Sequence, residues 1–163
     1  MKVNIASALN APLTSFTTDI KIDAKALPQL GEWDIRTPLQ LKLTYLYDEE
    51  LLHASGVIEA DVLLNCVRCT EDVLYPFRET FQAVFAKEMD EEEEYYLYTG
   101  EEITLDQLII DEVSLNMPEY VLCKEDCRGL CPVCGVNRNI ELCGCEDMQG
   151  KENPFSKLKD LFE

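Results

Sequence analysis

From Leu39 onward, hydrophobic and polar side chains alternate along the chain. Leu39, Leu41, Leu43, Tyr45 and Tyr47 fall on one parity with Gln40, Lys42, Thr44 and Leu46 between them, which predicts a strand with one buried face. Asp48, Glu49 and Glu50 supply a polar turn. Ile58, Ala60, Val62 and Leu64 then share a face, with Glu59 and Asp61 on the other, so a second strand is expected there. After the segment NCVRCTED, one parity carries Val73, Tyr75, Phe77, Phe81, Ala83 and Phe85 through a long third strand that Glu79 interrupts near its middle. Three alternating runs joined by short connections predict an antiparallel meander.

The flanks are weaker. Residues 1–37 offer short extended pieces around Val3–Leu9 and Thr17–Ile22, broken by Pro12, Pro28 and Gly31. Tyr95–Tyr98 can return as a strand. Thr104 followed by Gln107 matches a capping box, and Leu105, Leu108, Ile109 and Val113 recur at helical spacing, so a helix is expected over about 104–117, ended by Pro118. A terminal helix over 151–163 starts at Asn153-Pro154 and carries the stripe Phe155, Leu158, Leu161 and Phe162. The expected fold class is α+β: a β-rich core domain over 1–119, a cysteine-rich zinc-ribbon-like module over 120–150, and that terminal helix.

Charge changes the picture of what such a fold can touch. The chain of 163 residues holds 32 acidic and 14 basic side chains, a formal net charge of −18. A surface of that sign repels phosphate backbones and attracts basic partners. Five acidic side chains in succession within the acidic loop 88–94 read either as a solubility device or as a docking loop for a basic partner. The opening MKVNIASALNAPL is too short and too polar for a signal-peptide core, and no window approaches eighteen apolar residues. The expected location is the reducing cytoplasm, where clustered cysteines are metal ligands or redox groups rather than structural disulfides.

All eight cysteines are clustered. Cys66 and Cys69 form a CxxC in the turn between the second and third strands, where a hairpin tip presents both sulfurs in one direction. Cys131 and Cys134 form another, and Cys123/Cys127 and Cys143/Cys145 are looser pairs. Eight thiols make two tetrahedral sites with none left over, so two structural zinc ions are the expected cofactors. Spacing does not settle the pairing, but loop closure favours local combinations. It groups Cys131, Cys134, Cys143 and Cys145 as a ribbon, leaving Cys66, Cys69, Cys123 and Cys127 to staple the hairpin tip to the chain that leaves the helix. An iron–sulfur cluster and a redox dithiol at Cys131/Cys134 are the competing chemistries. A redox CxxC usually opens a helix after a strand, and neither pair is placed that way.

Catalysis has little support in the sequence. His53 is the single histidine and sits at a connection or strand edge; the seven glycines form neither a GxGxxG nor a phosphate-binding loop. A zinc ion with four sulfur ligands has no open position for water. Between Cys123 and Asn139 the ionisable groups are Lys124, Arg128 and Arg138 against Glu125 and Asp126, a net of +1. Zinc bound by four thiolates carries a formal −2 that cancels this advantage toward phosphate.

Taken together, Cys66-Val67-Arg68-Cys69, the acidic middle, PEYVLC, CKEDCRGLCPVCGVNRN and the closing NPFSKLKDL resemble the YceD family, named for large ribosomal RNA subunit accumulation. The resemblance spans about the last hundred residues. It implies a cytosolic, non-enzymatic factor needed for accumulation of 23S rRNA, acting in large-subunit assembly. Its CxRC falls on Cys66, Arg68 and Cys69, and its distal cysteines on Cys123 through Cys145. With the charge reading, the expected partner is a basic ribosomal protein or a large-subunit precursor, with direct rRNA contact secondary. The alternative is a thiol redox or metal-handling protein.

Overall fold

The computed structural model describes residues 1–88 and 95–145. Most of the acidic loop at 88–94, the last residues of the cysteine module and the expected helix over 151–163 lie outside these. In chain order the elements are β1 (Lys2–Asn4), α1 (Ala6–Asn10), β2 (Phe16–Ile22), β3 (Asp34–Ile35), β4 (Leu39–Tyr47), β5 (Leu52–Asn65), β6 (Asp72–Ala86), β7 (Tyr96–Leu97), β8 (Glu102–Thr104) and α2 (Asp106–Asn116). The fold is α+β, as the alternation predicts.

The meander β4, β5, β6 is the centre of a six-stranded sheet ordered β2-β4-β5-β6-β7, with β3 also paired to β5. Neighbours are antiparallel except β6 and β7, which run parallel. The predicted parities hold. Leu39, Leu41, Leu43 and Tyr45 are buried, as are Ile58, Ala60 and Val62, and Phe77, Phe81, Ala83 and Phe85 complete that face. Helix α2 closes the core by burying Leu108, Ile109 and Val113, with Leu105 buried just before it. Glu79 and Glu112 are both half-buried. Burial pushes the Glu112 carboxyl up; Asn116 works against this, while Asp111 and Glu79 reinforce it.

Three expectations are corrected. The piece around Val3–Leu9 is extended only to Asn4; α1 follows, its first turn supported by Ala6 N–H donating to Asn4 Oδ1 at 3.0 Å. The capping box does not form, because Thr104 is drawn into β8 opposite Lys2 and Leu105 takes the cap position without a side-chain bond. The second strand begins at Leu52, six residues before its predicted apolar run. His53 and the small residues that follow it dilute the alternation, while β4 and β6 pair along that stretch and hold it extended.

Two local features hold the meander in register. At the β4–β5 turn Glu49 takes a positive φ of 81°, and Asp48 Oδ1 accepts from Glu50 N–H at 3.0 Å and Leu51 N–H at 2.8 Å. Asp48 Oδ2 lies 2.7 Å from His53 Nε2. These donors, the Leu51 N–H first and then His53 and the Glu50 N–H, lower Asp48 from its ordinary 3.8 to about 2. Farther along, Gly56 faces Leu43 and Phe81 across the sheet. A Cβ there would sit 2.2 Å from Lys42 O and 2.8 Å from the Phe81 ring.

Gly56→Ala therefore destabilises the sheet by about 2 kcal/mol or more, which thermal unfolding reads as a fall of roughly 5 °C or more. Because the folded-state pKa of Asp48 is depressed, its stabilisation is present above pH 3.8 and is lost as pH falls through about 2. The Tm gap between wild type and Asp48→Ala accordingly closes over that interval.

Candidate metal centre

The β5–β6 hairpin pairs residue for residue from Leu52↔Phe85 to Asn65↔Asp72, so its tip is fixed by the length of the ladder behind it. In the turn, Thr70 N–H donates to Cys66 O at 2.8 Å, Cys66 N–H to Glu71 O at 2.8 Å, and Thr70 accepts a positive φ of 61°. Cys66 and Cys69 are thereby held together and buried. The chain leaving α2 comes up beside them: Val67 N–H donates to Val121 O at 3.0 Å. Cys123 and Cys127 follow immediately.

The structure brings the eight thiols together as two quartets: Cys66, Cys69, Cys123 and Cys127, and Cys131, Cys134, Cys143 and Cys145. Within each, all four sulfurs lie within 4.8 Å of one another. In the first, Cys66 and Cys127 Sγ are 3.7 Å apart, and Cys69 and Cys123 Sγ are 3.5 Å apart. A tetrahedral ion with metal–sulfur bonds of about 2.3 Å places its ligands about 3.8 Å apart. Distance and donor set both fit a metal, and each quartet could hold one ion.

The quartets differ in setting. The first forms a small cluster of its own with Val73 packed against it, and Cys66, Cys69 and Cys127 are buried. In the second only Cys131 is buried; Cys134 is exposed and Cys143 and Cys145 are half-buried. The knuckle around Cys131 is tied by Gly135 N–H to Cys131 O and Cys131 N–H to Val136 O, both 2.8 Å, with Gly135 at φ +75°.

Backbone N–H groups aimed at sulfur favour the thiolate. Burial pushes the Cys66 thiol up, but the Cys123, Cys69 and Arg68 N–H groups outweigh it and bring it to about 6. In Cys131 the N–H groups of Cys134 and Val133 do the same, against burial, again to about 6. Cys127 is lowered although burial opposes it, by the Asn139 amide and the Gly129 N–H. Cys69 and Cys123 are pushed up, foremost by burial. Cys145 is pushed up to about 12 by its contact with Cys134 and by burial. Each quartet thus contains sulfurs built to carry charge beside sulfurs that burial and their neighbours push toward the protonated form. A divalent cation resolves that conflict and releases the protons.

Four residues beyond the ligands organise the pair. Arg68, exposed in the hairpin turn, donates from Nη1 to Cys127 O at 3.1 Å, and its own carbonyl accepts from Leu130 N–H at 2.9 Å. Gly129, at φ +70°, lies so close that a Cβ would meet Arg68 O at 3.0 Å. Asn139 belongs to the stretch between Cys134 and Cys143, yet its Nδ2 donates to Cys127 Sγ of the other quartet at 3.3 Å. Its Oδ1 accepts from Arg128 N–H at 2.9 Å. Beside it, Arg138 Nη2 reaches Cys131 Sγ at 3.8 Å. The role of Asn139 was not readable from sequence; the only signal was two asparagines flanking an arginine next to cysteines.

His53, expected to stand apart from any chemistry, pairs with Asp48 at the β4–β5 turn of the same sheet. Among the described residues no helix is long and apolar enough to cross a membrane.

A sheet whose longest hairpin ends in a CxxC, brought sulfur to sulfur with the cysteine pair that follows α2 and succeeded by a second cysteine quartet, defines a small α+β protein built around paired four-thiol centres. The chain belongs to the YceD family, described as large ribosomal RNA subunit accumulation protein YceD, whose family model matches residues 54–162. It is 36% identical over 88 residues to an uncharacterised protein of Mycobacterium tuberculosis (strain ATCC 25618 / H37Rv), covering 50% of this chain and 42% of that one. To an uncharacterised protein of Mycobacterium leprae (strain TN) it is 30% identical over 116 residues, 68% of this chain and 52% of that one. To the Arabidopsis thaliana protein named large ribosomal RNA subunit accumulation protein YCED homolog 1, chloroplastic, it is 21% identical over 159 residues, 78% of this chain and 49% of that one. The chain spans about half the length of the curated relatives it matches. No solved structure matches it.

With zinc added as the probe ion, Asn139→Ala is expected to weaken its binding at the hairpin quartet by about 10- to 100-fold, the usual effect of losing a bond that orients a ligand, while the ribbon quartet changes less. Chelator competition on the zinc-loaded chain, read as two release phases, separates the two.

Proposed function

We propose that the chain is a non-enzymatic factor of large-subunit biogenesis that supports accumulation of the large ribosomal RNA, with two structural zinc ions fixing its cysteine module. The family's description and the name of the Arabidopsis thaliana relative support the ribosomal role. The observation that carries the structural part is the pair of all-cysteine quartets, in which sulfur fills every position that a tetrahedral ion offers. Such a site holds a fold and leaves no coordination position for a reacting water.

The formal charge of −18 supports a division of labour. The acidic surface engages a basic ribosomal protein or the protein part of a large-subunit precursor, and the zinc module sets its orientation. Contact with rRNA is secondary, since a chain of this charge gains nothing from the phosphate backbone. A ribosomal role of this kind is consistent with work in the cytoplasm.

A second reading has one observation in its favour. Cys134 is exposed beside Cys131, whose thiol is held at about 6, the combination of a reactive dithiol. On the zinc reading the chain purifies with about two equivalents of zinc and thiols that resist alkylation until a chelator is added. Metal-free protein whose Cys131 and Cys134 alkylate at once would favour the redox reading. In cells, Cys134→Ser at matched abundance lowers the large-subunit rRNA level on the first reading, which quantitative RNA blotting checks.

A further inference from the structure

The exposed large hydrophobic side chains are unevenly spread. Among the described residues Leu13, bonded to Tyr47 O, and Leu97, paired with Ala86, lie at the opposite end of the sheet from the hairpin tip. The thiol end carries Val67, Tyr120, Leu130, Val133, Ile140 and Leu142, with Tyr120, Ile140 and Leu142 exposed to 79, 77 and 81%. Backbone bonds stitch the segments that bear them together: Val67 to Val121, Leu130 to Arg68, and Ile140 to Asn137, itself bridged to Leu130. Concentration of apolar surface at one end of a highly charged chain marks an interaction site.

The charge around this surface selects the occupant. Two of its guanidiniums are engaged with the centres themselves, Arg68 on Cys127 O and Arg138 on Cys131 Sγ. Lys124 lies 4.0 Å from Asp126. Arg128 is exposed as well, and Glu119, Glu125, Asp126 and Glu141 are exposed around the same segments, so carboxylates outnumber Lys124 and Arg128 at this surface. An apolar surface with an acidic rim, on a chain of net −18, complements a protein segment that presents apolar side chains among lysines and arginines.

We infer that the thiol end, centred on Ile140, Leu142 and Tyr120, is the face that grips the basic ribosomal protein. The inference rests on the partner class proposed above and moves the primary contact from the acidic run to the apolar surface that the two centres hold rigid. Carboxylates then speed and orient the encounter, and the apolar side chains determine how long the complex lasts.

The test uses the full zinc-loaded chain and, as the probe, the proteins stripped from purified large ribosomal subunits with high salt and freed of RNA by nuclease. Ile140→Ser/Leu142→Ser retains two zinc ions and the wild-type Tm, because both side chains are solvent-exposed, and loses at least tenfold in affinity for the basic protein retained by the wild type. Tyr120→Ser, on a different segment, weakens it several-fold, and Leu13→Ser stays within twofold. If the wild type retains a basic protein and Ile140→Ser/Leu142→Ser retains it equally well, this face is not the site and the proposed function stands. That result also covers a surface taken by a second copy of the chain, seen as a concentration-dependent dimer in sedimentation, or by the chain's own residues 151–163. If the wild type retains no ribosomal protein but binds a 23S rRNA transcript, the partner class itself is wrong and the inference falls with it.

Discussion

The meeting of Cys66 and Cys69 with Cys123 and Cys127 is the constraint on which the arrangement depends. A hairpin tip extended beyond its sheet has little apolar surface to hold it in place, and among the described residues the cluster around these sulfurs contains no aliphatic side chain other than Val73. Three buried thiols and a fourth beside them therefore do there what leucine and phenylalanine do in the main core. The ladder of β5 and β6 sets where the tip stands, and α2, packed on the sheet by Leu108, Ile109 and Val113, sets where the second pair of sulfurs arrives.

Most of the fold was legible because β4, β5 and β6 obey the period-two rule over long stretches, and a sheet with one buried face leaves that rule little freedom. The helix was legible for the same reason at a different period. What escaped was local competition. Thr104 carries a capping signal and a strand signal at once, and pairing with Lys2 across the chain settled the contest. The strand start at Leu52 was hidden because Ser55 and Gly56 have no apolar side chain to count, although the backbone is held by neighbours on both sides.

The centres show a similar split. CxxC spacing and loop closure point to the two quartets in which the sulfurs are found together. The charge of the module, summed along the chain, hides how it is distributed. Of its three cations Arg138 is committed to a sulfur centre, while Lys124 and Arg128 stay exposed beside Glu125 and Asp126, and Arg68 of the hairpin, outside that sum, bonds to the other centre. A count cannot show which charges already have partners. Nor could sequence show Asn139 bonding to the quartet to which it does not belong.

The order of the cysteines along the chain has a consequence for synthesis. Cys66 and Cys69 leave the ribosome together with a hairpin whose contacts are local, whereas the two sulfurs that complete their quartet are encoded beyond β6, β7, β8 and α2. Until Cys127 emerges, the nascent chain displays two of four thiols at the end of a finished hairpin. The ribbon quartet, from Cys131 to Cys145, is spread over only fifteen residues. Any ion taken up early at the hairpin would have two thiols to hold it until the chain beyond α2 supplied the others, and the burial of Cys66, Cys69 and Cys127 encloses the quartet only then.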